Sequence, residues 1–148
     1  GQLVTSPAEA VGIARQAKRV AVLGIKPESR ADQPAHYVPK YLSEAGVEVV
    51  PVPTFYPQVT EILGTPVVRE LAAVGAVDIV DVFRRAEDCD AHVPDLLAMS
   101  PPPRVVWLQS GIVASEAFLE RVLSAGVDVV QDRCLMVDHK AAATASNL

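Results

Sequence analysis

The sequence predicts an α/β protein: a single Rossmann-like, doubly wound domain whose five-stranded parallel sheet, in the order 3-2-1-4-5, is flanked by helices. Three observations carry that expectation. Short runs of strand length alternate with helical segments along the chain. The strand runs are nearly continuous in apolar residues, the pattern of parallel strands buried on both faces. The chain has 148 residues, half of them hydrophobic, which suits one domain with a core of its own. No linker or internal repeat divides it, so residues 1–148 are read as one domain.

Taken in order, SPAEAVGIARQAK (Ser6–Lys18) is a capped helix, with Ser6 at the N-cap, Pro7 at the first helical position and Glu9 completing a capping box. RVAVLG (Arg19–Gly24) is the first strand. PAHYVPKYLSEAG (Pro34–Gly46) is a helix with Val38, Tyr41 and Leu42 on one face and Gly46 as its stop. Pro39 is expected near its first turn, where a missing N–H costs least. VEVVPV (Val47–Val52) is the second strand, followed by the loop PTFYPQVTE and then a turn and short helix in EILGTPVVRELAAVG. VDIVDVF (Val77–Phe83) is the third strand, and AEDCDAHVPDLLAMS (Ala86–Ser100) a helix broken by Pro101–Pro103. RVVWLQSG (Arg104–Gly111) is the fourth strand, SEAFLERVLSAG (Ser115–Gly126) a capped helix, and VDVVQD (Val127–Asp132) the fifth strand. The polar end AAATASNL, residues 141–148, is expected to be a mobile tail.

The formal charge of −5 and the lack of a basic stripe argue against nucleic acid as a partner. No apolar segment approaches the roughly 20 residues of a membrane span. The N-terminus lacks a signal peptide's pattern, so a cytoplasmic protein is expected. Cys89 and Cys134 stand far apart and His92 and His139 have no metal-spaced partners, so no metal site is expected. No GxSxG and no Walker GxxxxGK[ST] occurs. Asp78 and Asp81, three positions apart on a strand, point to opposite faces. No catalytic residue is assigned.

In open parallel sheets the ligand crevice lies outside the carboxyl ends of the strands where strand order reverses. The expected order puts that reversal between strands 1 and 4. The residues to inspect are Gly24–Pro34, Pro53–Tyr56, Phe83–Arg85 and Gln109–Ile112. Gly24 lets the backbone approach a phosphate, the helix start near Pro34–His36 offers N–H groups to an anion, and Lys26 and Arg30 add charge. A conventional dinucleotide site needs an acid after strand 2; here Val52-Pro53-Thr54 follows instead. Phe55 and Tyr56 either cover an adenine or pack over the sheet edge. Of Arg84 and Arg85, one reaches the crevice, or both balance Glu87, Asp88 and Asp90.

The segments VLGIKPESRADQPAHYVPKYL, VVPVPTFY, EILGTPVV, VDIVDVFRR, VVWLQSGI and VVQDRCLMVDH resemble the stand-alone CoA-binding domain proteins, which are similar to the CoA-binding domain of the succinyl-CoA synthetase α subunit. The likeness runs from about Ala14 to Lys140, and D-x-F-R, W-x-Q-x-G-I and D-R-C are its most specific parts. It implies coenzyme A, or an acyl-CoA, across the carboxyl edge of the sheet. Gly24, Ile25, Lys26, Pro27 and Arg30, with Ala35, His36 and Tyr37, would then surround the diphosphate. Val52, Pro53 and Thr54 would flank the adenosine, Val82, Phe83 and Arg84 would form the other wall, and Gln109, Ser110, Gly111 and Ile112 would lie along the pantetheine. Two departures stand out. Ala31-Asp32-Gln33 lengthen the loop that usually reads S-R-P-S or S-R-P-A, and Pro51-Val52-Pro53-Thr54 replaces P-V-N-P.

The expected function is a non-catalytic CoA or acyl-CoA binding module: a carrier, sensor or accessory protein. The alternative is an NAD(H)-binding redox-sensing or oxidoreductase module. A third reading is a CoA-dependent, ligase-like enzyme that works only with an unidentified protein partner, because the synthetase's phosphohistidine domain has no counterpart here. Cys134, beside Arg133 on the ligand side, leaves a mixed disulfide with CoA as a minor alternative.

Overall fold

The computed structural model describes residues 1–146. Its strands are β1 (Arg19–Leu23), β2 (Glu48–Val52), the hairpin pair β3 (Glu61–Ile62) and β4 (Thr65–Pro66), β5 (Ile79–Val82), β6 (Val105–Leu108) and β7 (Asp128–Val130). The helices are α1 (Pro7–Gln16), α2 (Pro34–Glu44), α3 (Ala86–Cys89), α4 (Val93–Leu97), α5 (Glu116–Ser124) and α6 (Leu135–Ser146). The main sheet has five parallel strands ordered β2-β1-β5-β6-β7. One apolar layer joins it to α4 and α5 through residues such as Val93, Leu96, Phe118 and Val122. The other joins it to α1, α2 and α6 through Ala10, Ala14, Val38, Leu42 and Leu135. This is the Rossmann-like α/β class that the sequence predicts.

The strand order departs from the expected 3-2-1-4-5. In the numbering of the five predicted strands it is 2-1-3-4-5: the third strand, β5, lies between β1 and β6 instead of outside β2. The reason is at the outer edge of β2. A strand residue turns its N–H and C=O to the same side, and the Pro51 carbonyl accepts the Val68 N–H at 2.9 Å. Pro51 therefore turns its missing N–H away from β1, which a central strand cannot tolerate and an edge strand can. The chain returning from the β3–β4 hairpin covers that edge, leaving β5 to pair on the far side of β1. At the opposite edge Leu3 bridges Val129, with Val4 N–H donating to the Val129 carbonyl at 2.8 Å. Both edges are thus partly covered.

Three further elements differ from expectation. The segment after the strand 2 loop forms a hairpin, because Leu63 (φ 54°) and Gly64 (φ 71°) both turn left-handed, the requirement of a two-residue turn of type I′. Only a single 3-10 turn, Leu71–Ala73, follows it. The predicted helix over Ala86–Ser100 is broken into α3, a 3-10 turn and α4, with Pro94 in the first turn of α4, where proline starts a helix more easily than it continues one. Pro39 lies inside α2, beyond its first turn.

Part of the stretch expected as a mobile tail is helical. Residues 141–146 continue α6, Ala142 is buried, and α6 packs along α1; residues 147–148 lie outside the described residues. Alanine has the highest helix propensity, and its small side chain lets α6 approach the buried Ala10 and Ala14 of α1. His139 and the Tyr41 hydroxyl of α2 share a 2.8 Å hydrogen bond, and Lys140 sits 5.1 Å over the same ring. Among the described residues no helix is long and apolar enough to cross a membrane.

Candidate functional site

With the order 2-1-3-4-5, the reversal at the carboxyl edge falls between β1 and β5, not between strands 1 and 4 as expected. Past the strand ends the ladder continues: Gly24 N–H donates to the Val52 carbonyl at 2.8 Å, Phe83 N–H to Leu23 at 2.9 Å and Gln109 N–H to Val82 at 3.3 Å. Gly24 has φ 87°, and a Cβ there would stand 2.3 Å from the Phe83 carbonyl oxygen. Its glycine is needed for both the left-handed turn and the close passage of β5.

Beside this switch point lies an open cleft of about 470 Å³, within the size range of small-molecule sites. Its walls include eight expected site residues: Lys26, Ala35 and Tyr37 on the β1–α2 side, Phe83 and Arg84 after β5, and Gln109, Ser110 and Ile112 after β6. The other expected residues lie behind or beside it. Ile25, Pro27, His36, Val52, Pro53 and Val82 are buried. Arg30 is exposed on the 3-10 turn Glu28–Arg30, and Thr54 and Gly111 are exposed at the rim. Gly24 forms the turn itself.

Each wall has a local cause. Pro34 opens α2 at the cleft, and the N-cap Gln33 makes no side-chain capping bond; its Oε1 instead accepts from Lys26 Nζ. Pro34 has no N–H, and those of His36 and Tyr37 donate to the Gln33 carbonyl at 2.9 and 3.0 Å. The Lys26 ammonium together with the positive end of the helix dipole, rather than a row of free N–H groups, therefore favours an anion at this opening.

On the opposite wall Arg84 is fixed by neighbours from two elements. Its Nε donates to His92 Nε2 at 3.1 Å and its Nη1 to Thr54 Oγ1 at 3.2 Å, so it spans from the β5 rim to the end of β2. Burial and the adjacent Arg84 guanidinium lower the His92 pKa, which keeps the ring neutral and able to accept. Arg85 Nε holds Asp88 at 2.8 Å, and that bond lowers the Asp88 pKa.

The third wall shows why the W-x-Q-x-G-I and D-R-C segments belong together. Trp107 Nε1 donates to the Arg133 carbonyl at 2.8 Å, and Gln109 Oε1 accepts the Leu135 N–H at 3.0 Å. Gly111 N–H donates to Asp132 Oδ1 at 2.7 Å, while Asp132 N–H returns a bond to Ile112 at 3.1 Å. Gln109 therefore caps the start of α6 with its oxygen, and Arg133 clasps the buried Asp138 with two bonds of 2.7 and 2.8 Å. These bonds set the half-buried Cys134 into the cleft wall. Cys89 is different: burial pushes its thiol up to about 11.

Sequence reasoning placed Gln33 in an insertion, yet it lines the cleft; Val38, on the packed face of α2 as expected, is fully buried beneath the cleft. The signal for Gln33 was its place just before Pro34. Arg69 was overlooked altogether. It donates to the carbonyls of Phe55, Tyr56 and Val59, each at 2.8 Å, and so shapes the loop that leaves Phe55 exposed against Tyr56, ring centres 5.2 Å apart. Three backbone acceptors turned toward one guanidinium leave no pattern in sequence.

Comparison with known proteins agrees with this architecture. The chain is 36% identical over 135 residues to the uncharacterized protein YneT of Bacillus subtilis (strain 168), covering 90% of this chain and 94% of the relative. The structure of cell-free ID.343 from Thermus thermophilus superposes with a TM-score of 0.80 at 41% identity, over 93% of this chain and 99% of that one. A hypothetical protein from Pyrococcus horikoshii OT3 gives 0.79 at 25% identity, over 94% and 93% of the two chains. Residues 18–140, from the start of β1 into α6, match the family model of the CoA binding domain, and the chain belongs to that family.

Proposed function

We propose that this protein binds coenzyme A or an acyl-CoA at the carboxyl edge of its sheet, as a non-catalytic carrier, sensor or accessory module. The observation that supports this reading best is the cleft at the β1/β5 switch point, which pairs cations with an apolar floor. Lys26 and the start of α2 suit the diphosphate, and Arg84 suits a phosphate oxygen from the opposite wall. The half-buried Phe83 and Ile112, over the buried Val38, offer an apolar path for the pantetheine. Thr54, bonded to Arg84, lies where the adenosine side would begin. Ligase-like chemistry, in this reading, belongs to assemblies with a partner subunit.

Calorimetric titration with CoA, with NADH in parallel, tests it. Micromolar CoA binding without an NADH response is the expected result. NADH binding without CoA would overturn the reading in favour of a dinucleotide module, and silence from both would overturn it outright.

A further inference from the structure

Lys26 is fastened to α2 through its main chain on both sides. Its N–H donates to the Ala35 carbonyl at 3.1 Å, and its own carbonyl accepts from His36 Nδ1 at 2.9 Å. The first bond depends on a proline four residues further on. In a regular helix the Ala35 carbonyl would take the N–H of residue 39, but Pro39 lies inside α2 and has none to give. The acceptor left open by the proline is the one Lys26 uses. His36 is only 2% exposed, so packing fixes the ring that holds the other side.

The side chain that this clamp presents also differs from the other cations of the cleft. Arg84 and Arg85 both have Asp88 as an ion-pair partner. Among the described residues Lys26 has only the neutral amide of Gln33, which an anion displaces without separating an ion pair.

We propose that Pro39 and His36 are positioning residues for Lys26. The helix gives up one internal hydrogen bond so that the lysine loop is bolted to its first turns, with the ammonium ready for the diphosphate. Holding a charged group in its binding geometry beforehand removes ordering cost from the binding step. This inference rests on the reading that the cleft takes CoA.

The test is a double-mutant cycle with CoA as the probe. Pro39→Ala supplies an N–H that recaptures the Ala35 carbonyl, so melting temperature is expected to hold or rise while CoA binds roughly 3- to 10-fold more weakly. Lys26→Met is expected to weaken CoA binding in its own right, and adding Pro39→Ala to Lys26→Met should then cost little more. His36→Phe removes the ring donor and should weaken binding, whereas His36→Asn keeps a donor near the Nδ1 position and should recover most of it. Unchanged affinity in a folded Pro39→Ala variant, or a full additive loss on top of Lys26→Met, would overturn the proposal. A wild-type chain that ignores CoA would sink the functional reading instead. The clamp would then be judged by amide hydrogen exchange: the Lys26 N–H is expected to exchange faster in Pro39→Ala, and equal exchange would overturn it.

Discussion

Asp81 is the most expensive side chain in the core, and its replacement is the sharpest test of the energetics. It is fully buried, pairs in register with Val22 on one side and Trp107 on the other, and neither carboxylate oxygen has a hydrogen-bond partner among the described residues. Burial raises its pKa well above the ordinary value. The sign follows from linkage. Below the unfolded pKa of about 3.9 both states hold the proton and no penalty arises. As pH rises past that point the unfolded chain ionises while the folded one does not. Stability then falls by up to about 1.4 kcal/mol per pH unit until the folded carboxyl itself ionises.

Two isosteric changes separate the contributions. Asp81→Asn removes the proton equilibrium, so the pH slope belonging to this site should vanish between pH 5 and 8. Asp81→Leu also removes the orphaned polar atoms, which should add about 1–3 kcal/mol at neutral pH, or roughly 2–4 °C in melting temperature per kcal/mol. Urea denaturation of the three proteins at pH 5 and pH 8 measures both. A leucine variant less stable than wild type at pH 8, or a wild-type slope identical to that of Asp81→Asn, would refute the reasoning and mean that the carboxylate is solvated or partnered.

Other replacements read separate parts of the site. Gly24→Ala places a Cβ 2.3 Å from the Phe83 carbonyl oxygen at φ 87°, so it should destabilise by more than about 2 kcal/mol or prevent folding, visible in soluble yield and melting temperature. Gln109→Leu leaves the Leu135 N–H at the start of α6 without its acceptor, and urea denaturation should show a loss of about 1–3 kcal/mol. Arg69→Ala frees three carbonyls of the Phe55–Val59 loop; limited proteolysis there should quicken while the melting temperature moves little. Arg84→Ala should weaken CoA binding by about 1–2 kcal/mol in calorimetry, and unchanged affinity in the folded variant would remove this arginine from the site.

What was legible in the sequence follows from the range of the forces involved. The parallel, doubly buried strands announce themselves because every residue of such a strand meets apolar surroundings, and the capped helices because Ser6 and Ser115 accept from backbone N–H groups three residues on. The strand order was legible too, but in one residue: Pro51 cannot sit in a central strand, and the order 3-2-1-4-5 would have put it in one. The cleft was visible as four post-strand segments, since those segments must meet at one edge of any parallel sheet. Which side chains of those segments face the opening was not. His36 is spent on the Lys26 carbonyl and Gln109 on the α6 start, and each bond is a choice made by tertiary geometry among partners that are distant or non-periodic in the chain. The same logic makes Pro39 informative in retrospect. A proline inside a helix always leaves one carbonyl without its helical donor, so the question it poses is which N–H takes that place, and here the answer leads straight to the lysine at the mouth of the cleft.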